Sequence, residues 1–134
     1  MNLNQLKMHN LAPRGIRATC VPTSLCFVTG VSYQDIEYLL VREQPKTYRP
    51  EIAGNKGVNT QMLLGNQRVM FGHRFTAVSG SGSLLSFIGK YSVGTYLVCV
   101  PRHMLVVQNG QMFDLANTQY SSTITNVWKV EKIS

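Results

Sequence analysis

Arg102-His103-Met104-Leu105-Val106-Val107-Gln108-Asn109-Gly110-Gln111-Met112-Phe113-Asp114 is the stretch on which the fold turns. Asn109-Gly110 stands between two apolar runs, and Asn-Gly in that setting is the strongest short-range signal for a two-residue hairpin. The spacing predicts strands over 104–108 and 111–115. Counting outward from Gln108 and Gln111, Leu105 pairs with Asp114 and His103 with Ala116. Side chains alternate along a strand, so His103 and Asp114 fall on one face as diagonal neighbours. Asp114 also interrupts the apolar run Met112, Phe113, Leu115. A carboxylate touching an imidazole is what a general base and its orienting group require. The plainer reading is an edge ion pair or a hydrogen-bonded core histidine.

Around the hairpin the chain reads as helices first and strands later, an α+β pattern rather than alternating βαβ units. The first helix is expected to begin at Thr19 or Cys20, with Thr19 as cap and Pro22 tolerated in the first turn. Leu25, Cys26 and Val28 follow at helical spacing, and Gly30 stops the helix. Ser32 with Asp35 resembles a capping box for a second helix, buried along Tyr33, Ile36, Leu39 and Leu40. Residues 44–57, with Pro45, Pro50, Gly54 and Gly57, read as a surface loop. Asn59 or Thr60 caps a short helix to Leu64, and another short helix is predicted over 84–90. Strands are expected over 75–78, over 96–100 (continuously apolar, hence central) and over 126–133. The sheet should hold about four to six antiparallel strands.

The 134 residues fit one domain, 1–134, with one hydrophobic core. The chain is 44% hydrophobic and 14% charged, which excludes disorder by composition. No apolar run approaches the ~20 residues that span a bilayer. The net charge is +7, from 13 Lys and Arg against 6 Asp and Glu. The basic residues are scattered singly and not interleaved with aromatics, which argues against a nucleic-acid surface and for an acidic partner or substrate.

An odd count of three cysteines, Cys20, Cys26 and Cys99, argues against a disulfide framework. There is no C-x-x-C pair, and His9, His73 and His103 are scattered, so no metal site is expected; nor is any cofactor. Cys26, in a helical stripe, and Cys99, in an apolar strand, suit packing. Cys20 differs. At a helix start, unpaired N–H groups and the helix dipole favour thiolate over thiol, and the thiolate is the nucleophile. Among the remaining residues, Trp128 reads as core and His73 as a loop or strand-start residue, each with a cleft-lining place as its alternative, and His9 reads as exposed. The Gly80-Ser81-Gly82-Ser83 run lacks a P-loop lysine and reads as a loop.

Cys, then His, then Asp, with the cysteine on an early helix and the other two on a late hairpin, is a papain-like order. Thr19-Cys20-Val21-Pro22-Thr23-Ser24-Leu25, with Val28-Thr29-Gly30 and Tyr33-Gln34-Asp35-Ile36, resembles the nucleophile region of small papain-like, C39-like cysteine-peptidase domains of bacteriophage genomes. The stretch from Arg102 to Asp114 resembles their His-hairpin-Asp region. The resemblance implies a nucleophile helix packed on an antiparallel sheet, with Cys20, His103 and Asp114 as catalytic triad. It implies a cysteine hydrolase that cleaves a peptide or isopeptide bond of a protein or peptide substrate through an acyl-enzyme. The polar stretch 1–10 carries no apolar signal core. The expected location is therefore the cytoplasm, that of the bacterial host if the gene is a phage's.

One feature departs from the family. Its members often place a Gln shortly before the nucleophile to complete the oxyanion hole. Here Arg14 stands six residues before Cys20, and no Gln lies between Lys7 and Cys20. The Cys20 N–H supplies one donor; Asn10, Thr19 or another group is left to supply the second. Asn117 stands behind Asp114 as an alternative third member. The same apparatus runs deamidation or acyl transfer if the acceptor changes. The competing reading is an inactive papain-like domain that binds a host or phage protein.

Overall fold

The computed structural model describes residues 2–12, 20–48 and 57–133. Within these residues five helices and six strands follow in the order α1 (Leu3–Leu11), α2 (Cys20–Thr29), α3 (Tyr33–Glu43), α4 (Thr60–Leu64), β1 (Gln67–Met70), β2 (His73–Val78), α5 (Leu84–Lys90), β3 (Thr95–Val100), β4 (His103–Gln108), β5 (Gln111–Phe113) and β6 (Asn126–Lys132). The strands form one sheet of order β1-β2-β6-β3-β4-β5, antiparallel throughout. The α+β class and the antiparallel sheet follow the sequence reading. Among the described residues no helix is long and apolar enough to cross a membrane.

The last strand of the chain, β6, inserts between β2 and β3. Its alternation feeds both faces of the sheet. Trp128 and Val130 join Phe75, Leu97, Cys99, Met104 and Val106 against Leu25, Ile36 and Leu40 of α2 and α3. Val127 faces the other way, with Val98, Leu105, Val107 and Ile124 against Leu84 and Phe87 of α5. The expected single core is therefore two, because helices cover both faces of a sheet whose middle strands are apolar throughout. Trp128 is buried, and its indole N–H donates to the Gly65 carbonyl at 2.9 Å, as a buried indole requires.

Three expectations need correction. The first helix is not at Cys20: α1 precedes it, over a stretch without an apolar stripe. Asn2 caps α1 in a reciprocal pair with Gln5, at 2.8 and 3.0 Å. Only Met8 is buried; polar side chains dock the rest. Asn4 donates to the Met112 carbonyl and Gln5 to that of Ala116, and the His9 ring meets the Leu115 carbonyl. Hydrophobic periodicity is blind to such a helix. The strand β1 is also additional, pairing with β2 across Phe71 and Gly72.

The loop expected over 44–57 is not a surface loop at its start. Gln44 and Tyr48 are buried. The Gln44 amide clamps Asn59 from both sides, donating to its carbonyl and accepting from its N–H, each at 2.8 Å. Asn59 in turn caps α4 by accepting from the Met62 N–H. Pro50 and Gly54 lie outside the described residues. Elsewhere Gly30 ends α2 with φ +74°, and Ser32 caps α3 by accepting from Asp35 N–H.

Candidate active site

The N-terminus of α2 meets the hairpin at the open end of β4. A two-residue turn sets Gln108 opposite Gln111, with Asn109 and Gly110 at φ +50° and +76°. Both central residues of a type I′ turn need positive φ, which explains Asn-Gly. The N–H groups of Gln108, Val106 and Met104 then point to the β5 side, at period two. β5 ends at Phe113, opposite Val106. Met104 is left without a strand partner there, and its N–H donates to Cys20 Sγ at 3.3 Å.

The same early end overturns the extended register. Leu105–Asp114 and His103–Ala116 do not pair. Asp114 leaves the ladder and folds its carboxylate onto its own backbone. Oδ1 accepts from Ala116 N–H at 3.0 Å and Oδ2 from Thr118 N–H at 3.1 Å, an Asx-type turn. His103 and Asp114 nonetheless meet. The His103 Nε2–H donates to Asp114 Oδ1 at 2.5 Å. Continued alternation would place His103 with Leu105 and Val107, on the α5 side of the sheet. As the first residue of its strand, just after the turn, it is free of that constraint and reaches Cys20.

With Nε2 engaged by Asp114, Nδ1 is the ring nitrogen left to face the Cys20 sulfur, and the imidazole acts on that sulfur electrostatically. Burial alone would raise the Cys20 thiol. The facing His103 imidazolium and the Met104 N–H outweigh it and hold the thiol below its ordinary range. Burial would likewise lower His103, but the Asp114 hydrogen bond and the Asp114 and Cys20 charges push the imidazole up to about 10. Asp114 is buried, a cost offset by His103 and the Thr118 and Ala116 N–H groups, so its carboxyl stays below the usual carboxylate range. The three groups thus favour thiolate, imidazolium and carboxylate together. Burial pushes the other two thiols, Cys26 and Cys99, up to about 11.

Cys20, His103 and Asp114 are therefore brought together as the sequence predicts. The secondary candidates fare differently. Asn117 is exposed, and the group on the His103 ring is Asp114, whose carboxylate is held by the Ala116 and Thr118 N–H groups. Asn10 is exposed on α1 and does not line the cavity at Cys20; Thr19 and Arg14 lie outside the described residues. His73 opens β2, as read, with Nδ1 on the Phe71 carbonyl. Among the described residues no group of three or more His, Cys, Asp and Glu is placed to hold a metal ion.

A cavity of about 510 Å³ opens over Cys20 and His103. Its walls include residues that the sequence reading missed: Val58 and Thr60 from the α4 approach, Arg102 from the β3–β4 turn, Asn126 from β6 and Cys99 from β3. Cys99 does pack in the core, but its thiol also reaches the cavity and lies 3.9 Å from Thr60 Oγ1. Sheet order alone explains this grouping: Asn126 pairs with Cys99 and Cys99 with Met104, so three segments distant in sequence stand side by side. No family model, curated protein or solved structure matches the chain.

Proposed function

We propose that the chain is a papain-like cysteine hydrolase acting on a peptide or isopeptide bond, with Cys20 as nucleophile, His103 as acid and base, and Asp114 as orienting group. The observation that carries this reading is the Cys20–His103–Asp114 chain of contacts, in which a thiol held low faces an imidazole held high at the mouth of a cavity. Cys20 Sγ attacks the carbonyl carbon, and the oxyanion forms beside the Cys20 N–H at the start of α2. The imidazolium of His103 gives its proton to the leaving amine, and the C–N bond breaks to leave a thioester. His103, now neutral, takes a proton from water, whose hydroxide attacks the thioester and releases the acid and the Cys20 thiolate. Asp114 fixes the Nε2–H tautomer, so Nδ1 stays on the sulfur side throughout.

The substrate is a protein or peptide, met in the cytoplasm of the bacterial host if the gene is a phage's. The test is site-selective alkylation, followed by capture. Iodoacetamide at mildly acidic pH should label Cys20 well before Cys26 and Cys99, and His103→Ala should remove that advantage. Equal labelling of the three thiols, or a protected Cys20, would overturn the reading in favour of a binding domain without catalysis. With the site established, Cys20→Ala serves as a trap for the substrate.

A further inference from the structure

Arg102 is an odd residue for its position. Pro101 and Arg102 form the two-residue link between β3 and β4, closed by the Val100–His103 pair. Arg102 has φ +63°. Proline first and positive φ second is the pattern of a type II turn, whose second central position favours glycine. A side chain there strains the backbone, and such strain points to a use for the side chain.

That use is suggested by its surroundings. Arg102 lines the cavity shared by Cys20 and His103, and no Asp or Glu is among the cavity's described lining residues. Its guanidinium makes no ion pair or hydrogen bond among the described residues, whereas Arg68 is held by Glu43 at 2.5 and 2.6 Å. Beside it stands the His103 imidazole, favoured in its cationic form. The other polar walls among the described residues, Thr60, Thr125 and Asn126, are neutral. A guanidinium offers a planar fork that matches a carboxylate in a way a lysine does not.

We propose that Arg102 is a specificity residue that binds a substrate carboxylate next to the scissile carbonyl. This rests on the hydrolase reading of Cys20. An acidic side chain and a free chain terminus present the same pair of oxygens, and charge-matched electrophiles separate them. Iodoacetate and iodoacetamide both leave a thioether on Cys20 and release iodide; they differ in one carboxylate set close to the reacting carbon, as at a chain terminus. Glutamyl and glutaminyl chloromethyl ketones differ in a side-chain carboxylate and release chloride.

The readout is the acid-to-amide ratio of Cys20 labelling rates for each pair. In the wild type at least one ratio should exceed that of Arg102→Gln by about tenfold, the scale of a charge-assisted contact. Arg102→Lys should recover part of it. Lys90→Gln, on α5, removes the same net charge and should leave both ratios at wild-type values. Arg102→Gly should lose the ratio while raising the thermal midpoint, since glycine accepts the φ; this keeps the result clear of folding defects. A shift confined to the ketone pair assigns an acidic side chain, and one confined to the iodo pair assigns a terminus. Ratios that Arg102→Gln leaves unchanged would overturn the proposal. Failure of the hydrolase reading looks different: Cys20 would then show no labelling advantage with the uncharged probe either.

Discussion

At its C-terminal end β4 turns into β5 through Asn109 and Gly110; at its N-terminal end it arrives from β3 through Pro101 and Arg102. Both turns contain positive φ: +50° and +76° in the first, +63° at Arg102 in the second. The first turn uses residues suited to that backbone and is further tied down. Asn109 Oδ1 accepts from Gly94 N–H at 3.0 Å, and Asn109 N–H donates to Gly94 O at 2.8 Å. The second carries an arginine where glycine fits best, next to His103 and the cavity. One strand thus has an end built for stability and an end built around exposed chemistry. The difference locates the candidate site without reference to any relative.

Under the proposed hydrolase activity, the largest expected contrast between the ends is in turnover. Cys20→Ala should abolish it, with a loss of roughly 10⁴-fold or more, and leave the fold intact. His103→Ala should cost roughly 10²–10⁴-fold and slow Cys20 alkylation as well, because the thiolate loses its imidazolium. Substitutions at Asn109 should do neither. Rate assays on a captured substrate, with alkylation kinetics beside them, check all three; an Asn109→Ala protein that folds but cannot label Cys20 would erase the contrast.

Asp114 comes next. Asp114→Asn keeps an acceptor and should cost on the order of tenfold to a thousandfold, with Asp114→Ala worse because it removes the orienting group. The structure adds a stability arm, since Asp114 also accepts from Ala116 and Thr118 N–H. Orphaning those donors should cost Asp114→Ala about 1–3 kcal/mol, read by denaturant unfolding. Full activity in Asp114→Ala with a dead His103→Ala would reduce Asp114 to a structural role.

The pH dependence follows from the signs of the shifts. Cys20 lies below the ordinary thiol range, so its alkylation should persist at pH values where Cys26 and Cys99, each pushed up to about 11, are protonated. It should fade as the pH falls through the lowered Cys20 value. On the proposed mechanism turnover needs the imidazolium to protonate the leaving amine, so it should fall as the pH rises through about 10. Asp114→Asn removes a carboxylate that raises His103, and this alkaline limb should move to lower pH. A limb that stays in place would mean that Asp114 does not act on the ring.

The smallest effects are in the turns themselves. Gly110→Ala forces a Cβ onto φ +76° and should destabilise by about 1–2 kcal/mol. Arg102→Gly relieves a similar strain and should stabilise by about 1 kcal/mol. Opposite signs at the two ends of β4, measured by urea midpoints at constant m-value, would sharpen the comparison; the same sign at both would break it.

From the sequence alone, local chemistry was legible. Asn109-Gly110 dictated its turn, Gly30 the end of α2, Ser32 the cap of α3, and the apolar run of β3 its central place; each depends on a residue's own backbone preference or on a short period. Cys20, His103 and Asp114 were legible because each residue type is conspicuous where it stands. The rest depended on which segments come together. The docking of α1 rests on hydrogen bonds from Asn4, Gln5 and His9 to carbonyls more than a hundred residues away. The insertion of β6 beside β3 set Asn126 next to Cys99 and made a packing cysteine part of a cavity wall. The end of β5 at Phe113 decided that Asp114 meets His103 from a turn rather than a ladder, and it freed the Met104 N–H for the sulfur. Such pairings are settled by burial and by satisfying every backbone donor across the whole chain, so no local window of sequence contains them.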